Sequence, residues 1–249
     1  MEIYWLARAE YEPTCRLQEQ LRQRVLAGGE EAILLCEHSP VLTLGKYAQR
    51  ADIFADEQTL SAHRVQVVQT VRGGKVTYHG PGQLLVYPVV RLRSGVHAHM
   101  KALAQVATEV AAQLGVCAEF DDERVGVFVG RRKLAALGVH VERQVAIHGM
   151  SLNVTAAATL AFRQGWFLPC GERDEQVTSL LEEGATLSPD GQPASPQSAS
   201  GFEPEFSASD EVAAVVPQVV AALATLWKLR DPSLQRITAP LLSRTLFVK

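Results

Sequence analysis

The densest group of potentially reactive side chains lies in Arg72-Gly73-Gly74-Lys75-Val76-Thr77-Tyr78-His79-Gly80-Pro81-Gly82-Gln83. Four glycines and a proline within twelve residues argue against a regular helix or a full strand. Glycines permit positive φ and close backbone approach, so their N–H groups can receive carbonyl or carboxylate oxygens. Arg72, Thr77, Tyr78, His79 and Gln83 stand between them and can orient a ligand. No GK[ST] closes the loop, so it is not a Walker A phosphate loop. A strand rather than a helix is expected after it, which excludes a dinucleotide-binding fingerprint. The simplest alternative is a tight connection between two strands.

Pro169-Cys170-Gly171 is the second reactive feature. Proline stiffens the backbone before the thiol and glycine removes bulk after it. A thiolate presented on such a turn is a competent nucleophile, provided that a nearby cation or helix N-terminus lowers its pKa from about 8.5. Without such a partner it is an ordinary loop cysteine. Lys133, opening the apolar segment Lys133-Leu134-Ala135-Ala136-Leu137-Gly138, is a candidate cation, although a lysine at a strand start is by default a solvated edge residue. His148 and Asn153, in Ile147-His148-Gly149-Met150-Ser151-Leu152-Asn153, can face the same cleft; by default they and His38 are hydrogen-bonded structural residues. Cys15, Cys36 and Cys117 have no CxxC spacing and read as free thiols, the first two in the core.

The elements that must position these groups follow from apolar periodicity. Leu17, Leu21 and Val25 predict a helix over Thr14 to Ala27, stopped by Gly28-Gly29. Strands are predicted at Ala32–Cys36, Val41–Leu44, Val65–Val68 and Leu84–Val90, followed by a helix from His99 to Leu114. Val125–Val129 and Leu134–Val141 flank the turn Gly130-Arg131-Arg132, and Val145–Val154 supplies another strand. From about Ala185 to Ser209 the composition turns to Ser, Pro, Ala, Gly and Gln, as in a flexible linker or insertion. A last helix over Asp210 to Leu229 carries Val212, Val216, Val219 and Leu223 on one side, with Pro217 kinking it or marking its first turn. The fold class expected is α/β (α+β), a mixed sheet flanked by helices. A catalytic core over 1–184 precedes the 185–209 segment and a C-terminal helix and tail over 210–249.

Length and composition agree with that organisation. The 249 residues are 47% hydrophobic and 20% charged, an ordinary globular balance. A net charge of −3 argues against wrapping nucleic acid by bulk charge. No apolar run reaches the roughly 18–20 residues of a membrane span, and charges interrupt the N-terminus where a signal peptide would be apolar. A soluble, cytoplasmic protein is expected.

Together these motifs resemble the octanoyl-[acyl-carrier-protein]:protein N-octanoyltransferase family of lipoate synthesis. The resemblance is carried by Leu34 to Lys46 (LLCEHSPVLTLGK), the RGGKVTYHGPGQ loop, Lys133 to Gly138, the HGMSLNV strand and Pro169-Cys170-Gly171, in the family's order from about Ile33 to Leu180. It implies the fold of biotin protein ligases and lipoate ligases. It also implies an acyl-enzyme mechanism with Cys170 as nucleophile and Lys133 lowering its pKa and acting as acid and base. Arg72, Gly73, Gly74, Lys75, Val76, Thr77, Tyr78 and His79, with Ala136, Leu137, Gly138, Gly149, Met150 and Ser151, would bind the acyl substrate. Neither ATP, a metal nor another cofactor is expected. The implied partners are octanoyl-acyl carrier protein, the lipoyl domains of 2-oxoacid dehydrogenase complexes and the glycine cleavage H protein.

Met150 and Leu137 are candidate walls for the eight-carbon chain, and Lys46, Arg50, Arg72, Arg131 and Arg132 candidate steering charges for acidic partners. Ser151 departs from the family's usual alanine, and the segment between Asn153 and Pro169 is longer than typical. Three alternatives remain: an ATP-dependent lipoate or biotin ligase on the same fold, a cysteine thioesterase, and a catalytically silent protein that docks lipoyl domains or carrier protein.

Overall fold

The structure is a computed structural model that describes residues 1–168, 176–187 and 209–227, and the backbone of 234–236. Its frame is a mixed sheet in which nine strands are described, with a path ordered β12-β1-β2-β6-β10-β9-β8-β7. These are β1 (Glu2–Ala9), β2 (Ala32–His38), β6 (Gln83–Arg91), β7 (Glu119–Asp121), β8 (Gly126–Val129), β9 (Arg132–Glu142), β10 (Val145–Asn153), β11 (Gln176–Val177) and β12 (Leu234–Arg236). β11 pairs in parallel with β9 at Arg132 and Lys133. A smaller sheet, β4-β3-β5, joins β3 (Val41–Leu44), β4 (Gln66–Gln69) and β5 (Val76–His79).

The central strands are apolar on both faces, and their alternation separates two cores. Ile33 and Leu35 of β2, with Leu84 and Val86 of β6, pack under the helices α3 (Gly95–Gln113) and α5 (Asp210–Leu226). Leu34 and Cys36, with Leu85, Tyr87 and Val89, face the other way, toward Leu17, Leu21 and Val25 of α1 (Tyr11–Leu26). A third cluster seats Leu42, Leu44, Val76 and Tyr78 of the small sheet against Leu60 of α2 (Glu57–Ala62), Ala161 of α4 (Leu160–Arg163), Trp166 and Phe167.

Two expectations change. The glycine-rich segment does contain a strand, because Val76–His79 falls between its glycine pairs and pairs antiparallel with β3. The N-terminal segment, given no element from sequence, is β1, parallel to β2 with a register shift between Trp5 and Arg8. Pro217 lies inside α5, whose Val212, Val215, Val216 and Val219 are buried. Most of the 185–209 stretch lies outside the described residues, yet Ala185 and Leu187 pack against the main core.

Candidate active site

Where β9 and β10 meet on the α1 side, large core residues give way to small ones. Ser151 of β10 lies opposite Ala136 of β9 and Leu85 of β6, and Gly149 lies opposite Gly138. These two rows floor a slot that opens to solvent. Arg72, Thr77 and His79 border it from the glycine-rich segment, and Tyr11, Tyr87 and His148 complete its walls. Gly149 must be glycine, since a Cβ there would stand 2.2 Å from the Val86 carbonyl oxygen. Above Gly138 the loop sits close, with the Gly73 N–H donating to the Val139 carbonyl at 3.1 Å.

Thus Arg72, Thr77, His79, Ala136, Leu137, Gly138, Gly149, Met150 and Ser151, chosen from sequence, border one cavity. Met150 and Leu137 do so differently from expectation. Alternation turns Met150 into the α3/α5 core and packs Leu137 against that same core, so neither side chain is a wall of the slot. Gly73, Gly74, Lys75, Val76 and Tyr78 do not border the cavity; Val76 and Tyr78 are buried in the small-sheet core. Arg72 cannot be a surface steering charge either. The residue is 6% exposed, and its guanidinium donates to the Thr43 carbonyl and hydroxyl, both at 2.7 Å, and to the Gly73 and Lys75 carbonyls, both at 2.9 Å. It locks the loop to β3.

Lys133 is not a solvated edge residue, being 3% exposed. A bulge explains its direction. β8 and β9 slip register between Val127 and Phe128, so Val127 opposes Ala135 and Phe128 opposes Lys133. Leu134 and Ala135 consequently both enter the α3/α5 core, and Lys133 turns to the face of Gly126 and Ala136. Its Cε lies 3.0 Å from where a Gly126 Cβ would be, and its ammonium 5.3 Å from the Phe128 ring centroid. Pro169, Cys170 and Gly171 lie outside the described residues. The chain on either side is anchored: Leu168 N–H donates to the Asp52 carbonyl at 2.8 Å, and Thr178 N–H to the Lys133 carbonyl at 3.0 Å.

Sequence reasoning left His38 and His148 as structural and did not single out Tyr11 or Tyr87. The structure joins them in one buried ring cluster. Tyr11 stacks on His79 at 6.1 Å and meets His38 edge-on at 5.2 Å. His38 contacts the Ala9 carbonyl through Nδ1 at 2.6 Å and the Tyr87 hydroxyl through Nε2 at 3.1 Å. A carbonyl only accepts, so Nδ1 carries the proton and the Tyr87 hydroxyl donates to Nε2. Tautomer assignment at His79 follows the same logic. The Thr178 carbonyl accepts from Asn153 Nδ2 at 2.9 Å, Asn153 Oδ1 accepts from Gln83 Nε2 at 2.9 Å, and Gln83 Oε1 therefore accepts from His79 Nδ1 at 2.7 Å. The relay leaves the His79 Nε2 lone pair unprotonated.

Burial keeps these rings neutral. Desolvation pushes His38 down to about 4 and His148 to about 3, and holds His79 well below the ordinary value, with the Arg72 charge adding to the last two. His148 also adopts φ +59°, uncommon for a residue with a side chain, and its N–H donates to Gln18 Oε1 at 2.7 Å. The buried carboxylate of Glu37 ties neighbouring elements together. It accepts from Arg8, from the Gly82 N–H at 3.1 Å, and from the Ser209 hydroxyl at 2.7 Å just before α5.

The architecture is that of the lipoate-protein ligases. Lipoate-protein ligase A, solved with ATP bound, superposes with a TM-score of 0.69 at 13% identity, covering 100% of this chain and 97% of that one. A putative lipoate protein ligase from T. acidophilum with bound lipoic acid gives 0.65 at 13% identity, covering 99% and 93%. At such identities the likeness concerns the fold alone. Sequence relationship is closer. Residues 10–191 match the lipoyl protein ligase A/B catalytic domain, and the chain belongs to that family. The octanoyltransferase of Geobacter sp. (strain M21) is 42% identical over 181 residues, covering 71% of this chain and 84% of that protein. That of Desulfovibrio desulfuricans is 37% identical over 188 residues, covering 74% and 78%. Among the described residues, no helix is long and apolar enough to cross a membrane.

Proposed function

We propose that this protein transfers an octanoyl group from octanoyl-acyl carrier protein to the acceptor lysine of lipoyl domains, through a thioester on Cys170. The observation that carries the reading is the slot floored by Ala136, Gly138, Gly149 and Ser151, on the same face of the sheet as Lys133. Relatives named octanoyltransferase at 42% and 37% identity support the choice of acyl group.

The chemistry balances without ATP, a metal or another cofactor. The Cys170 thiolate attacks the carrier thioester, the carrier's pantetheine thiol leaves, and a thioester of similar energy replaces the first. The acceptor amine, with a reference pKa of about 10.4, must then lose a proton before attacking the acyl carbon. In the first step the Lys133 ammonium stabilises the thiolate. Once Cys170 is acylated that negative partner is gone, Lys133 gives up its proton more readily, and its neutral amine serves as base. Amide formation expels the Cys170 thiolate. Exposed Lys46 and Arg131 are available to acidic partners such as carrier protein, lipoyl domains and the glycine cleavage H protein, whereas Arg50 pairs with Glu57 and Arg132 with Glu183. We place the reaction in the cytoplasm.

Intact mass spectrometry after mixing the protein with octanoyl-carrier protein, in the absence of ATP, tests the reading. The expected result is a hydroxylamine-sensitive octanoyl adduct on the wild type and none on Cys170→Ala. Labelling that requires ATP and free octanoate would replace the transferase with a ligase, and release of free octanoate without amide product would indicate a thioesterase.

A further inference from the structure

A second cavity lies behind the slot. It opens to solvent and is bordered by Glu12, Cys15, Arg16 and Glu19 of α1, the 68–71 segment and Ile147. Tyr11 and His148 line both cavities, so the two are neighbours that share a wall. That wall is built rather than incidental. Tyr11 is 2% exposed, its hydroxyl lies 3.3 Å from Thr70 Oγ1, and its ring stacks on His79. The backbone of His148 is held in its left-handed conformation by Gln18.

Strand geometry gives the slot a length. On the slot face, Asn153, Ser151 and Gly149 follow one another at two-residue steps, and Lys133 turns onto this face at the Asn153 end. Four residues of β10 span roughly 13 Å at about 3.3 Å each. An extended chain advances about 1.25 Å for each C–C bond of about 1.5 Å, so an octanoyl group reaches about 9 Å. An acyl carbon held level with Asn153 therefore puts the terminal methyl about 4 Å short of the Gly149 row, the contact distance of two apolar groups, so the chain end meets His148 and the shared wall.

We infer that Tyr11, with His148, is the wall that sets acyl chain length, and that the cavity behind it is space for longer chains once Tyr11 is shortened. This rests on the acyl-transfer reading above. Opening the wall lets a chain run on between α1 and the 68–71 segment. Filling the floor earlier, at Ala136, shortens what the slot accepts.

The test offers an equimolar mixture of carrier proteins bearing chains from four to fourteen carbons and reads each acyl-enzyme by intact mass. Wild type and Tyr11→Phe, which keeps the ring, are expected to favour eight carbons. Tyr11→Ala is expected to raise the ratio of ten-carbon to eight-carbon adduct by about tenfold, the gain from burying two further methylenes, and to admit twelve-carbon chains as well. Ala136→Val is expected to shift the preference to shorter chains. Tyr11→Leu, which retains apolar bulk, serves if the alanine variant does not fold, and its profile should move in the same direction by less. An unchanged profile in acylated Tyr11→Ala or Tyr11→Leu would overturn the wall assignment and leave the transferase standing. No adduct of any length on the wild type would overturn both.

Discussion

The two faces of the central sheet are made by alternate residues of the same strands, and they are packed to opposite ends. Toward α3 and α5, Ile33, Leu35, Leu84, Val86 and Leu152 are fully buried against Leu103, Val106, Val110, Val216 and Val219. Toward α1, the same stretch of β6 and β10 contributes Leu85, Tyr87, Gly149 and Ser151, and the space left by the small residues is ringed by Tyr11, His79 and His148, with His38 packed behind Tyr11 and His79. One face spends its apolar surface on cohesion. The other gives up volume and gains a slot whose polar groups are held in defined protonation states. Activity and stability should therefore separate by face.

The largest separation is expected at Lys133. Lys133→Ala should lower transfer by about 10²- to 10⁴-fold, the range of a lost acid–base group, while circular dichroism and gel filtration remain those of the folded protein. Activity equal to wild type would remove Lys133 from the mechanism. Leu84→Ala, on the opposite face of a neighbouring strand, should cost about 2–5 kcal/mol in denaturant unfolding and leave chain-length preference unchanged. A changed preference would show that the two faces are not independent.

Acid should strike the α1 face first. His38 and His148 are buried neutral with values near 4 and 3, below the 6.5 of an exposed histidine. The unfolded chain then binds more protons than the folded one below about pH 6.5, so stability falls as pH drops, by up to about 1.4 kcal/mol per unit for each ring. The loss should continue to about pH 4 and pH 3 respectively, and His148→Asn should flatten the slope of urea midpoint against pH. An unaltered slope would mean that His148 titrates normally.

Two smaller effects sharpen the contrast. Gly149→Ala should destabilise by about 1–3 kcal/mol as an overpacked site, since its Cβ would approach the Val86 carbonyl oxygen to 2.2 Å. Asn153→Asp cannot donate to the Thr178 carbonyl and should cost about 1–3 kcal/mol for the buried acceptor left without its partner. The new carboxylate still accepts from Gln83 Nε2, so the His79 tautomer should be retained, seen as an unchanged pair of imidazole ¹⁵N shifts. Changed shifts would show that the Gln83–Asn153 relay does not set the ring's proton.

Much of the site was legible because its motifs are local. The glycine-rich segment and the HGMS stretch name residues that do meet, since a loop that must approach Gly138 closely and a strand floor that must be shallow both require small residues. What stayed hidden depends on pairing. The bulge that turns Lys133 onto the slot face exists only between β8 and β9, so position in the sequence suggests a solvated strand end. Met150 and Leu137 look like walls because they are apolar neighbours of the slot residues, yet the two-residue repeat sends them into the opposite core. Tyr11 and Tyr87 carry no motif and reach the site from distant elements. β1 escaped notice because MEIYWLARA mixes charges with apolar residues, as suits a strand only partly covered.

The central claim is that the acyl chain lies on the α1 face, along the row from Asn153 to Gly149. A crystal structure of the enzyme acylated with an 8-bromooctanoyl group, located by the anomalous signal of bromine, tests it most directly. The expected result is a single bromine peak beside Gly149, His148 and Tyr11. A peak among Met150, Leu84 and the α3 side chains, or outside the sheet altogether, would contradict the account.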